Sequence, residues 1–187
     1  MVSTVEQLRK LLAPLNAHKP AHDYRRVSVD AAPTLEPATP LEIAAPLHAL
    51  IAAGGIAARP PSFPRRNTSV PSSSLKGLAA ELEPVGLPAD ILLSVLVRTC
   101  TVTLAYRHAI GPWTPKAARS RLGRVPKLLG PEARWWSNVT FDDPEEWRPL
   151  GRPTRYSWRP VTGHTFDRVL IGSGAGALVT ILAFADD

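Results

Sequence analysis

The sequence predicts an α+β fold, with a helical N-terminal two-thirds packed on a C-terminal antiparallel β-meander. Three observations carry this expectation. Apolar residues recur at helical spacing in several segments before Gly130. From Ser137 onward the chain changes to short β-rich runs separated by turn residues. The last run, Ala177 to Phe184, is apolar on both alternating faces, so it needs cover on both sides, which helices supply.

At 187 residues, 44% apolar and 20% charged, the chain is long enough for one well-buried domain and short for two. Residues 1–58 read as an N-terminal helical segment, 59–74 as a Pro/Ser/Arg-rich loop or linker, and 75–187 as an α+β core, with 1–58 and the core forming one cooperative domain. The single cysteine, Cys100, excludes an internal disulfide and any multi-thiolate metal site. Abundant alanine and 17 Arg against 5 Lys suggest a bacterial genome of high GC content.

The first helix is predicted from Val5, Leu8, Leu11, Leu12 and Leu15, with Ser3 and Glu6 placed for a capping box. Ala13 to Pro40 lacks sustained periodicity and reads as an irregular wrap. Thr39-Pro40-Leu41-Glu42 then combines a capping threonine, a proline at the first helical position and a glutamate that reaches back. That helix is expected to end at Gly54-Gly55, with Pro46 forcing a kink or a later start.

Arg59 to Ser74 contains Pro61-Ser62-Phe63-Pro64, which suits either a polyproline ligand or a stiff solvated loop, the latter favoured. Leu75, Leu78, Ala79 and Leu82 form the next helical stripe. Another helix opens at Pro88, and Thr99 to Tyr106 is expected to continue it to about His108, despite a strand-like alternation. Thr114-Pro115 starts a basic helix whose stripe is Ala118, Leu122, Val125 and Leu129, with Gly123 and Pro126 splitting it in two. Strands are expected at Ser137 to Phe141, Arg155 to Val161, Thr165 to Ile171 and Ala177 to Phe184. Pro160 confines the second to an edge position or an early end.

Several motifs close on inspection. Val169 to Ala177 fits a strand followed by G-x-G-x-x-A, but a dinucleotide site also needs a following helix and a second parallel strand. Only ten residues follow Ala177, so the glycines are read as a hairpin turn and no cofactor is expected. His18 and His22, with Asp23, resemble metal-ligand spacing, yet Pro20 breaks the helix that would align them, and no metal is expected. His48 lies in an apolar helix and reads as a satisfied, partly buried histidine. Cys100, in an apolar run, behaves as a small hydrophobe. The N-terminus lacks a secretory apolar core, and Val169 to Ala185 is short and glycine-interrupted for a bilayer span. The protein is therefore expected to be cytoplasmic, with no membrane partner.

The strongest signal is charge. Arg107, Lys116, Arg119, Arg121, Arg124, Lys127 and Arg134 face a single acid, Glu132, and that block carries the whole net charge of +6. Trp113, Trp135, Trp136, Trp147 and Trp158 overlap it. Basic side chains neutralise phosphates and exposed aromatics stack on bases. The leading expectation is thus a small basic non-enzyme that binds nucleic acid or another polyanion through Lys116, Arg119, Arg121, Arg124, Lys127, Arg134, Trp135 and Trp136. One alternative is a metal-independent endoribonuclease-like phosphodiesterase, with His164 as acid or base and Arg155 and Arg159 on the phosphate. On a strand Asp167 points away from His164, so a direct pair would need a bulge. The other alternative is an interaction factor that meets an acidic protein surface and has no nucleic-acid role.

Overall fold

A computed structural model of the chain describes residues 2–17, 23–33, 38–54, 56, 74–105, 108–148 and 157–186. The helices are α1 (Thr4–Ala17), α2 (Pro40–Ala53), α3 (Leu75–Glu81), α4 (Ala89–Thr101), α5 (Pro115–Leu122) and α6 (Arg124–Leu129). The strands are β1 (Asp23–Ala31), β2 (Glu83–Pro84), β3 (Arg134–Ser137), β4 (Val139–Thr140), β5 (Ser157–Trp158), β6 (Phe166–Gly174) and β7 (Ala177–Ala185). A 3-10 turn, Pro144–Trp147, lies between β4 and β5. Five strands form one antiparallel sheet in the order β1-β7-β6-β3-β2, while β4 and β5 pair separately. The fold is therefore α+β, with the C-terminal hairpin β6–β7 at its centre.

The sheet divides the core in two, as strands apolar on both faces require. On one face Val27, Val29, Trp135, Leu170, Val179 and Ile181 pack with the buried stripes of α1, α4, α5 and α6. On the other, Val169, Ile171, Leu178, Leu182 and Phe184 pack with Ile43, Ala44 and Leu47 of α2 and Leu78 of α3.

Local chemistry sets most helix starts. Glu6 donates its backbone N–H to Ser3 Oγ at 3.2 Å. Thr39 and Glu42 form the full reciprocal box, with the Thr39 backbone N–H donating to Glu42 Oε2 at 2.8 Å. The later start expected from Pro46 does not occur. α2 begins at Pro40 and keeps Pro46 inside, because the capping box fixes its first turn while Ile43, Ala44 and Leu47 are fully buried. α1 likewise runs through Pro14 to Ala17. The carbonyl that Pro14 deprives of a partner belongs to exposed Lys10, where water can take it.

Four expectations are corrected. The irregular wrap contains β1, whose alternation is obscured because the buried face carries Arg25 beside Val27 and Val29. α4 stops at Thr101 rather than reaching His108. Val102 bridges Ala109, and Thr103 N–H donates to His108 O at 2.9 Å. The physical reason is tertiary: the Arg25 guanidinium, from β1, occupies the Thr99 carbonyl and donates to Val102 O at 2.6 Å, while the β-branched run 101–103 favours extended backbone. The expected strand Ser137 to Phe141 is instead two short ones in different sheets, separated by a bend at Asn138. Finally, the hairpin turn is only Ala175-Gly176, both at positive φ (44° and 71°), a two-residue connection that matches strand twist.

Gly172 and Gly174 lie within β6 and serve close packing. A Cβ on Gly172 would sit 2.8 Å from the Trp135 ring, and one on Gly174 would sit 2.3 Å from the Leu129 carbonyl oxygen. The proline-rich segment 59–73, His18, His22, Arg107 and Arg155 lie outside the described residues.

Candidate functional site

Thr114 caps α5 by accepting from the Ala117 backbone N–H at 3.3 Å, and Pro115 fills the first helical position. Pro126 has no N–H for the Leu122 carbonyl, so the helix breaks at Gly123 and resumes as α6. Ala118, Leu122, Val125 and Leu129 are buried along the whole pair, anchoring it to the core. Helical periodicity then drives Lys116, Arg119, Arg121, Arg124 and Lys127 outward, and all five are exposed, as is Arg134 at the start of β3. Among the described residues none of these six forms an ion pair. Arg119 Nη1 reaches Ser94 Oγ at 3.4 Å, and the Arg121 guanidinium lies 5.6 Å from the Trp113 ring centroid.

Part of the nearby acidic run is engaged elsewhere. Glu145 is paired with Arg148, whose hydrogen bond holds the Glu145 carboxyl below the usual range, and Arg148 also meets Asp90 at 2.6 Å. Asp143 accepts from the Glu145 backbone N–H at 3.2 Å. Glu145 thus spends its charge on Arg148 rather than on the cations of α5 and α6. α5 and α6 contribute about 12 and about 9 Å of helix on either side of the break at Gly123.

The tryptophans behave differently from the expectation. Trp135 is only 6% exposed and packs in the core, so it is unavailable for base stacking. Trp136, the next residue on the strand, points to the opposite face and packs against the second core cluster, away from α5 and α6. Trp147 is buried beneath the Arg168 guanidinium, 4.7 Å from its centroid, and Trp158 packs against the Phe166 ring at 5.6 Å. The aromatic neighbour of the cationic face is Trp113, partly buried immediately before the Thr114 cap. The sequence shows it as one of five tryptophans, and nothing in its composition or charge sets it apart as a site residue. Its place one residue before the helix cap was the available signal.

Of the second group of expected residues, the two described members, Arg159 and His164, have separate partners. Arg159 pairs with Glu83 of β2, whereas His164 Nδ1 meets Asp186 Oδ2 at 2.9 Å beyond the end of β7. β2 and β7 are three strand positions apart in the sheet. Asp186 is also held by the Thr165 backbone N–H at 3.1 Å, and the His164 ring stacks on Phe184 at 4.5 Å. An imidazole oriented by a carboxylate in this way can transfer a proton. Asp167 is fully buried opposite Phe184, with its carboxylate held by Asn138, Val161 and Thr162, and is structural.

Two further buried groups are inert. Burial pushes the Cys100 thiol up to about 12, and lowers Arg25 to about 10 while its donors are taken by main-chain carbonyls. Among the described residues no group of three His, Cys, Asp or Glu is placed to hold a metal ion, and no helix is long and apolar enough to cross a membrane. Comparison with protein-family models, with curated proteins and with solved structures finds no match.

Proposed function

We propose that the protein binds nucleic acid through the face formed by Lys116, Arg119, Arg121, Arg124 and Lys127, with Arg134 at its border. The observation that carries this reading is the set of six exposed cations, none ion-paired among the described residues, on elements whose opposite side is fully buried. Such a face attracts phosphates by releasing their condensed counterions, so affinity falls steeply with salt. Six contacts to a single strand correspond to a slope of about −4 in log K against log salt.

The test is fluorescence anisotropy of labelled RNA and DNA between about 50 and 200 mM salt, with the double variant Arg121→Glu, Arg124→Glu alongside. The double reversal abolishes binding while the circular dichroism melt stays unchanged, because both side chains are exposed. Undiminished affinity overturns the assignment. A wild-type chain that binds no nucleic acid at low salt points instead to an acidic protein surface.

A second reading, a metal-independent ribonuclease-like phosphodiesterase, is favoured by the His164–Asp186 pair. His164→Ala then removes cleavage on a denaturing gel while leaving binding intact. Cleavage that survives the substitution rejects it.

A further inference from the structure

We infer that Arg121, held over Trp113, is the base-contacting group of the cationic face, and that the ligand of this face is single-stranded nucleic acid. The inference rests on the nucleic-acid reading of α5 and α6 and adds the substrate class.

Among the described residues, Arg121 is the one member of the six that lies over an aromatic ring. Trp113 is fixed from two directions: it packs against the apolar core, and the chain one residue later is pinned by the Thr114 cap. The indole thus orders a guanidinium that would otherwise sample many rotamers, and does so on an exposed residue. A guanidinium is planar and weakly hydrated, so its outer face stacks on a nucleobase, which a lysine ammonium does not do. The flanking cations, Arg119, Arg124 and Lys127, supply phosphate contacts that carry no base information.

The same geometry selects the strand state. In a duplex the base faces are covered by their neighbours, and only groove edges are accessible. An indole–guanidinium stack reaches a base only where that base is unstacked, as in a single strand. Trp135 and Trp136 cannot substitute, since one is in the core and the other faces the opposite side of the sheet.

The experiment compares a labelled oligouridine of about 20 nucleotides with an RNA duplex of the same length, and uses inorganic polyphosphate as a competitor without bases. Wild type is measured beside Arg121→Lys, which keeps the charge and loses the plane, and Trp113→Leu, which removes the support. Wild type favours the single strand by about tenfold, and Arg121→Lys lowers oligouridine affinity by about tenfold. Its salt slope and its affinity for polyphosphate stay as in wild type, because the charge is retained. Trp113→Leu moves oligouridine affinity in the same direction. Equal affinity for duplex and single strand, or an Arg121→Lys protein that binds oligouridine like wild type, overturns the inference while the cationic face stands. A wild-type chain that binds none of the three probes overturns the face itself, and this inference with it.

Discussion

The side-chain amide of Asn138 donates to the Asp167 carboxylate at 2.7 Å, joining two parts of the chain 29 residues apart. Asn138 also donates to Arg159 O at 2.8 Å and accepts from the Val169 backbone N–H at 2.7 Å. The other Asp167 oxygen accepts from the backbone N–H groups of Val161 and Thr162 and from Thr162 Oγ1, at 3.0, 2.8 and 2.8 Å. One buried carboxylate thus fixes both the bend between β3 and β4 and the loop that carries His164. Asp167→Ala strands four donors, three of them on the 161–162 turn. A loss of about 3 kcal/mol or more is expected in urea denaturation. A variant within about 0.5 kcal/mol of wild type would show that water replaces the carboxylate.

Burial pushes Asp167 up to about 6, outweighing the four hydrogen bonds that favour its ionised form. The folded carboxyl therefore keeps its proton at pH values where the unfolded chain has lost it. Through this group, stability falls as pH rises from about 4 to about 6 and is level above that. Unfolding free energies of wild type and Asp167→Asn across this window isolate the effect. The difference between the two curves should slope downward with pH, and a flat or rising difference contradicts the assignment.

Gly174 has no room for a side chain. Its Cβ would lie 2.3 Å from the Leu129 carbonyl oxygen and 3.1 Å from the Leu129 carbonyl carbon, both backbone atoms that cannot rotate away. Gly174→Ala should cost about 2–3 kcal/mol by forcing α6 from the sheet. Gly176→Ala tests a different cost: nothing crowds it, but φ is +71°. That variant should lose about 1 kcal/mol. Thermal melts that rank the two in the opposite order would reject this account of the glycines.

β1 is a nine-residue edge strand, and α1 closes its open side. The Asn16 amide donates to Val27 O at 2.8 Å while its carbonyl accepts from Val27 N–H at 2.8 Å, reproducing a strand's own pairing, and Arg9 Nε takes Val29 O at 2.9 Å. Asn16→Ala should lose about 1–2 kcal/mol and expose a pairing template. Light scattering on prolonged incubation should then show association that wild type lacks. A strictly monomeric variant would mean that Arg9 alone protects the edge.

Features set by local chemistry are legible in the one-dimensional chain. The Thr39–Glu42 box, the Thr114 cap and the break at Pro126 all depend on residues within about one helical turn, so they are readable in the one-dimensional chain. The two-sided apolarity of Ala177 to Phe184 equally required helices on both faces before their positions were known. The cationic face was legible for the same reason: its buried stripe and its charges share one helical period.

The remaining features depend on contacts between segments far apart in the chain. The end of α4 depends on Arg25, which lies 74 residues before Thr99 and binds its carbonyl. The same buried arginine hid β1, since a charge on the core face disguises strand alternation until its partners are assembled. Trp135 and Trp136 read alike as neighbours in the sequence, yet the pleat sends them into two different cores and leaves Trp113 beside the charges. His164 finds its carboxylate in Asp186 rather than Asp167, because strand order, not sequence spacing, brings the end of β7 to the loop before β6.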